Sequence, residues 1–304
     1  MVDEKDYLVA NNLNEAKVLM HEHCGNIHVL AGGTDLMVAL REGKRSGRDT
    51  TYLLDISNIQ ELKAIERKKV TISDEDCNTN EDYIRIGAMV TFDEAAHSGL
   101  LLKTAGALCE AAKSVGAQQI RNVATIGGNV CNAAVAADSL SALTILDAKV
   151  VLEDLRGERV LSIGEFITGP GKTAINEDEL LTEIRFKPLE DYYSAFVKLG
   201  RRKALAISRM NVAAALAFED EKITEARISP GCVFATPRRV QSAEKILIGE
   251  SPSEELFMEA GEEVSKEMVR ITGRRWSTDY KYPALSAVTF KALAIAYNQA
   301  KSDT

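Results

Sequence analysis

The sequence predicts an α+β chain in two parts, and three patterns carry that prediction. Near the N-terminus an apolar strand-like run, a glycine turn, a helix and a second apolar run follow in order, the pattern of a small parallel βαβ unit. Apolar runs of strand length recur between residues 149 and 228. Helical periodicity takes over from about residue 237, and strands followed by helices indicate a separate α+β domain. At 304 residues the chain is long enough for two domains. Its 45% hydrophobic and 27% charged residues are an ordinary globular mix, which excludes collagen-like, mucin-like and disordered classes.

The elements follow one by one. Asn12 and Glu15 have capping-box spacing, and Leu13, Ala16 and Met20 then recur at helical intervals. Residues 27–31 read as a buried strand that stops at Gly32-Gly33-Thr34-Asp35. Residues 36–40 look helical, and 51–56 look like another buried strand. Residues 70–72 and 83–86 are short and β-rich, with a polar loop at 73–82, and suit antiparallel pairing. Thr91 and Glu94 form a second capping-box pair. Residues 100–114 read as one helix ended by Gly116. The segment 120–132 is rich in glycine, asparagine and threonine. Residues 137–147 read as a helix and 149–153 as a strand. Gly169-Pro170-Gly171 breaks the pattern, and the domain boundary is placed at 177/178. It separates 1–177, itself divided near residue 57, from 178–304. Beyond it, 181–186, 193–199, 210–218 and 223–228 read as antiparallel strands, and 237–247, 253–268 and 284–300 as helices.

Charge and cysteine usage narrow the function classes. The net charge of −8 argues against nucleic acid, because an acidic surface repels a phosphate backbone unless its basic residues cluster. Cys24, Cys77, Cys109, Cys131 and Cys232 are scattered without a C-x-x-C pair, so neither a disulfide framework nor a zinc site is expected. His21, His23, His28 and His97 show no metal-ligand grouping. The charged N-terminus precedes no apolar run, and no stretch approaches the roughly 18 apolar residues of a membrane span. A cytoplasmic protein without a membrane span is expected.

Two motifs are decoys. Gly169-Pro170-Gly171-Lys172-Thr173 ends like a phosphate-binding P-loop, but that pattern needs a glycine where Phe166 stands. No G-x-G-x-x-G occurs, so a Rossmann site is excluded. Two other glycine pairs are serious candidates. Gly32-Gly33-Thr34-Asp35 lies between a strand and a helix, where glycines let backbone approach a ligand and present N–H groups to an anion. Thr125-Ile126-Gly127-Gly128-Asn129 repeats the device, with Thr125 and Asn129 able to hydrogen-bond and Asp138 and Ser139 a little further on. A tight turn and a helix cap are the plain alternatives for each alone. Together they suggest a dinucleotide whose diphosphate is held between two glycine loops.

These segments resemble a known family. Leu30-Ala31-Gly32-Gly33-Thr34-Asp35, the run from Gln119 to Asn129 and Ala136-Ala137-Asp138-Ser139 are similar to the FAD-binding medium subunits of the molybdenum hydroxylases, the xanthine dehydrogenase and carbon monoxide dehydrogenase group. The likeness is nearest to bacterial xanthine dehydrogenase FAD-binding subunits. It continues through Gly169-Pro170-Gly171-Lys172, Asp178-Glu179-Leu180-Leu181 and Ala235-Thr236-Pro237-Arg238, covering nearly the whole chain. The resemblance implies a PCMH-type FAD-binding domain of two α/β subdomains, followed by a CO dehydrogenase flavoprotein-like domain of antiparallel sheet and helices. By position, Val29, Leu30, Ala31, Gly32, Gly33, Thr34 and Asp35 match the first diphosphate loop. Thr125, Ile126, Gly127, Gly128 and Asn129 match the second. Asp138 matches an adenosine contact, Leu181 an adenine-side backbone contact, and Lys198 a position near the flavin or its ribityl chain. Val115 departs from relatives that carry an aromatic there.

The resemblance also implies the setting. A large partner subunit would carry molybdopterin and hydroxylate a purine or other N-heterocycle. A small subunit would carry 2Fe–2S clusters, and electrons would pass from them through FAD on this chain to NAD or another acceptor. A dimer of heterotrimers is the expected assembly. No catalytic acid, base, nucleophile or metal ligand is expected of this chain. Lys203, Ala204 and Leu205 stand where some NAD-using relatives carry an acidic residue, which leaves the acceptor open. The basic run Arg41, Lys44, Arg45 and Arg48 reads as a solvated loop or a docking surface. Trp276, beside Arg274 and Arg275, reads as packing or interface. A standalone PCMH-type FAD reductase or oxidase and a flavin-free scaffold are the alternative functions; flavin content and co-purifying subunits separate the three.

Overall fold

The structure, a computed structural model, describes residues 7–43, 52–74, 77–202 and 205–303. It opens with the expected parallel unit. Strand β1 (Tyr7–Val9), helix α1 (Leu13–Glu22), β2 (Ile27–Leu30), α2 (Leu36–Arg41) and β3 (Tyr52–Asp55) form a parallel sheet of order β1-β3-β2. Asn12 caps α1 by accepting from the Glu15 N–H at 2.9 Å. The Glu15 carboxylate accepts from the Asn11 N–H rather than from Asn12, so the box closes one residue early.

A five-stranded antiparallel sheet follows, of order β4-β5-β10-β6-β7. Its first two strands, β4 (Ile65–Asp74) and β5 (Cys77–Gly87), run as one long hairpin paired from Ile65↔Ile86 to Asp74↔Cys77. The polar loop expected at 73–82 is therefore mostly strand. A hairpin held by ladder hydrogen bonds needs no apolar face, so its sequence carries no alternating signal.

The helices that come next are α3 (Phe92–His97), α4 (Gly99–Thr104), α5 (Gly106–Ser114), α6 (Gln118–Arg121), α7 (Ile126–Asn132) and α8 (Asp138–Ile145). Thr91 and Glu94 form the predicted capping box of α3. The single helix expected at 100–114 is broken at Ala105, whose φ is −157°. The break is satisfied from outside: Leu189 N–H donates to Thr104 O at 3.0 Å, and Ser194 Oγ accepts from the Ala107 N–H at 3.0 Å. The glycine-rich segment 120–132 is largely helical, with Gly127 and Gly128 in the first turn of α7.

Strands β6 (Lys149–Glu153) and β7 (Glu158–Ser162), helix α9 (Ile163–Phe166) and the small ladder β8 (Ile167–Gly169) with β9 (Lys172–Thr173) lead to β10 (Leu180–Phe186). The sequence reading assigns this last strand to the second domain. It instead pairs with β5 and β6 at the centre of the five-stranded sheet. The chain changes sheet only between Phe186 and Tyr193. An apolar run reveals a buried strand but not its partners.

The final sheet, β11 (Tyr193–Gly200), β12 (Ser208–Glu219) and β13 (Lys222–Gly231), is antiparallel in chain order. Helices α10 (Gln241–Leu247), α11 (Glu254–Thr272) and α12 (Thr278–Asp303) complete the chain. Alternation along β11 and β12 explains their nearly continuous apolar sequence. Ala195, Val197, Met210, Val212, Ala214 and Leu216 pack in the core with α10–α12, whereas Phe196, Ala213 and Ala215 face the core of the five-stranded sheet and its helices. This sheet is buried on both sides and ties the C-terminal layer to the rest.

Candidate cofactor-binding site

The first glycine motif leaves β2 and opens α2, and it lies against the segment just before the second motif. A Cβ on Gly32 would stand 2.0 Å from Val123 O, so only glycine permits this approach. Gly33 has φ +70°, a left-handed conformation that side chains resist. The second motif is held from behind. Ile126 N–H donates to Val90 O at 2.9 Å and Gly127 N–H to Ala88 O at 3.1 Å. Thr125 caps α7 by accepting from the Gly128 N–H at 3.1 Å. A Cβ on Gly127 would collide with Ala88 O at 2.6 Å.

The two motifs are thus not equivalent cradles. The first amides of α7 are consumed inside the protein. By contrast, the N–H groups of Gly32, Gly33, Thr34 and Asp35 find no acceptor among the described residues. A run of unpartnered amides in a turn is a concave anion site, because the N–H dipoles converge without bringing in a cation. It borders a cleft of about 610 Å³ lined by Leu30, Ala31, Gly32, Gly33 and Thr34 on one wall and Asn122, Val123 and Thr125 on the other. That volume lies within the roughly 300–1,000 Å³ of cofactor-sized sites.

Lining residues the sequence reading missed include Met37, Asp55, Ser57, Lys63, Met89, Thr91 and Glu94. Both carboxylates are already engaged. Asp55 accepts from Tyr7 Oη and, at 2.7 Å, from the Ser57 N–H; burial pushes its pKa upward, but these bonds prevail and hold it below the usual carboxylate range. Glu94 accepts from the Thr91 N–H and hydroxyl, each at 2.8 Å. Lys63, whose N–H donates to Gln60 O at 3.0 Å, places its exposed ammonium at the cleft, where its charge helps to keep Asp55 ionised. Apart from the Thr91–Glu94 capping box, no motif marks these positions; Gly87 packs on Leu62 and brings the β3–β4 connection alongside.

Asp138 and Lys198 form a second cluster. Lys198 Nζ donates to Asp138 Oδ2 at 2.5 Å and to Ser114 O at 3.0 Å. Asp138 Oδ1 accepts from Ser208 Oγ at 2.5 Å and from Asn211 Nδ2 at 3.1 Å. Burial and the Asp138 charge push the Cys232 thiol beside Asn211 up to about 12. The two clusters are linked, because Ser139 Oγ donates to Asn129 Oδ1 at 2.6 Å.

The remaining candidates divide as follows. Val29 packs partly buried against the core of the parallel sheet, and Asp35 is exposed at the start of α2; neither lines the cleft. Ile126 is fully buried in the core. Leu181 is also a core side chain, in a β10 segment whose Thr182 O accepts from the Ala88 N–H at 2.9 Å, directly behind the second motif. Lys44, Arg45, Arg48, Lys203 and Ala204 lie outside the described residues, and Arg41 is exposed at the end of α2. Among the described residues no three His, Cys, Asp or Glu side chains group as metal ligands, and no helix is long and apolar enough to cross a membrane.

Comparison with known proteins agrees with this geometry. Residues 3–188 match the FAD binding domain in molybdopterin dehydrogenase, and residues 195–296 match the CO dehydrogenase flavoprotein C-terminal domain. The chain is similar to the nicotinate dehydrogenase FAD-subunit of Eubacterium barkeri, 34% identical over 80% of this chain and 79% of the relative. It is also 32% identical to the xanthine dehydrogenase FAD-binding subunit of Escherichia coli O157:H7, over 97% of each. The carbon monoxide dehydrogenase structure from Hydrogenophaga pseudoflava has the same fold, with a TM-score of 0.83 at 23% identity over 98% of this chain and 99% of that one. The chain belongs to the molybdopterin dehydrogenase FAD-binding family and is an FAD-binding medium subunit of the molybdenum hydroxylase type.

Proposed function

We propose that this chain is the electron-transfer subunit of a multi-subunit molybdenum hydroxylase. A large molybdopterin-binding subunit hydroxylates a purine or another N-heterocycle, and a small subunit with 2Fe–2S clusters passes the electrons on. They leave through FAD on this chain to NAD or another acceptor. The observation that carries the reading is the cleft between the two glycine motifs, lined on one wall by Gly32, Gly33 and Thr34 with their unpartnered amides. Relatives named for xanthine, nicotinate and caffeine support a nitrogen heterocycle as the substrate class. A dimer of heterotrimers in the cytoplasm is the setting we assign, and the cysteines whose side chains are described, all free, fit it.

The residues divide the work. Gly32, Gly33, Thr34 and Asp35 would hold the diphosphate through their backbone N–H groups, with Lys63 supplying a counter-charge. Thr125 joins the opposing wall, and Ile126, Gly127, Gly128 and Asn129 hold that wall in place from behind. Asp138 and Lys198 would orient the cofactor's polar groups, and Val29 and Leu181 buttress the two loops. Bound FAD supplies the redox chemistry, and the protein contributes binding, orientation and electrostatics.

The reading is tested by mixing the purified complex anaerobically with hypoxanthine or nicotinate and following iron–sulfur and flavin absorbance. Bleaching of both, with reoxidation by NAD or an artificial acceptor, is expected. Bleaching of the iron–sulfur bands alone would remove this chain from the electron route.

A further inference from the structure

Asp138 and Lys198 are set against the cofactor together, yet only one of them has a bond left to give. Lys198 Nζ donates to Asp138 Oδ2 and to Ser114 O, and its third N–H has no acceptor among the described residues. The Lys198 side chain is 15% exposed, which leaves that proton reachable from outside the core. Asp138 has no such opening, with its side chain 6% exposed. A carboxylate has roughly four lone-pair sites. Lys198 Nζ, Ser208 Oγ and Asn211 Nδ2 take three of them, and Ser114 Oγ crowds Oδ2 from 3.4 Å.

The groups behind Asp138 are fixed in turn. Asn211 is fully buried on β12, where it alternates with Ala213 and Ala215 on the side turned toward the five-stranded sheet. Its amide can point only one way, because Oδ1 accepts from Ser141 Oγ at 2.7 Å while Nδ2 donates to Asp138 Oδ1. Room for that amide comes from the neighbouring strand. Asn211 pairs with Gly231 of β13, and a Cβ on Gly231 would stand 2.2 Å from Asn211 Oδ1. The three atoms nearest that Cβ all belong to the Asn211 side chain. Replacing a buried polar cluster outright by apolar side chains often costs no stability, so the stability of the fold does not account for this one.

We propose that Asp138 is a positioning residue that acts on the cofactor only through Lys198. Ser208 and Asn211 hold Asp138 in that role, and Gly231 does so through the space it leaves. Lys198 is then the residue of the cluster that touches FAD, by one charge-assisted hydrogen bond. This rests on the reading above that Lys198 faces the cofactor, and it takes from Asp138 the direct adenosine contact that the resemblance implies.

For the test, the full chain, with the subunits that accompany it, is stripped of flavin and titrated with FAD. The visible circular dichroism of the bound flavin and the Tm are recorded on the same samples. Lys198→Met should weaken FAD binding by about tenfold or more and change the bound-flavin spectrum. Ser208→Ala, Asn211→Leu and Gly231→Ala should each weaken binding by about three- to tenfold and move the spectrum toward that of Lys198→Met. Ser208→Ala, which removes a single hydroxyl, decides the matter where Asn211→Leu does not fold. Added to Lys198→Met, none of these changes should weaken binding further by more than about twofold, because all act through the same ammonium. Where Lys198→Met alone does not fold, Lys198→Met/Asp138→Asn, which strands no charge, is the background. Effects that multiply in the combined variants would overturn the proposal. So would a lower Tm in Ser208→Ala, Asn211→Leu and Gly231→Ala with FAD affinity and flavin spectrum unchanged, which would leave those residues a structural role. FAD binding untouched by Lys198→Met would instead sink the reading that Lys198 faces the cofactor, and the proposal with it.

Discussion

Gly33 carries the sharpest prediction at the scale of single residues. Its φ of +70° strains any β-branched side chain, and a Cβ there would crowd Leu30 Cδ1 at 3.1 Å. Gly33→Val should abolish FAD binding, measured by flavin fluorescence titration; stoichiometric FAD in the variant would break the cradle account. Lys63 tests the charge side of the same cleft. Its ammonium is partly solvated, so Lys63→Gln should weaken FAD binding by about five- to tenfold and flatten its salt dependence, while riboflavin, which lacks phosphates, should bind both forms alike. The Asp138–Lys198 pair tests stability. Removing one partner of a buried ion pair strands the other, so Lys198→Met should cost about 3 kcal/mol in urea unfolding, and adding Asp138→Asn should recover part of that loss.

Loops gain their order from a few ion pairs at the scale of elements. Glu179 is 4% exposed and accepts from Arg159 and from the Asn176 N–H, which pins the connection before β10. Burial alone would raise the pKa of Glu179, but the Arg159 and Asn176 bonds outweigh it and hold the carboxyl below its ordinary range. A carboxyl depressed in the fold contributes stability that is complete above its unfolded pKa of about 4.3 and is lost as pH falls through the folded value. Thermal melts should therefore drop from pH 5 toward pH 3, and Glu179→Gln should have a lower Tm at pH 7 and a flatter acid limb. An unchanged acid limb in the variant would assign the loss to other carboxylates. The elements also show where sequence reasoning stops. Caps such as Asn12 and Thr91 were legible because their chemistry is local. The break at Ala105 was not, since the groups that satisfy it, Leu189 N–H and Ser194 Oγ, lie more than eighty residues away. The place of β10 in its sheet is non-local in the same way.

For the whole molecule, the sequence showed the glycine motifs but not their unequal parts. Both read as cradles, yet the tertiary bonds of Ile126 and Gly127 and the Thr125 cap on Gly128 commit the second to support and leave the first to face the cleft. Lys63 was illegible for a related reason: juxtaposition across the cleft belongs to the fold, not to the motif. The double burial of β11 and β12 joins the C-terminal layer to the core of the five-stranded sheet and its helices. The measurement that tests the central claim most directly is the visible spectrum of the purified native complex, with its chromophore then released by acid and identified. The account predicts FAD at one per chain beneath iron–sulfur absorption from the other subunits. Absence of flavin even after reconstitution with FAD would contradict it, and would reduce both glycine motifs to turns.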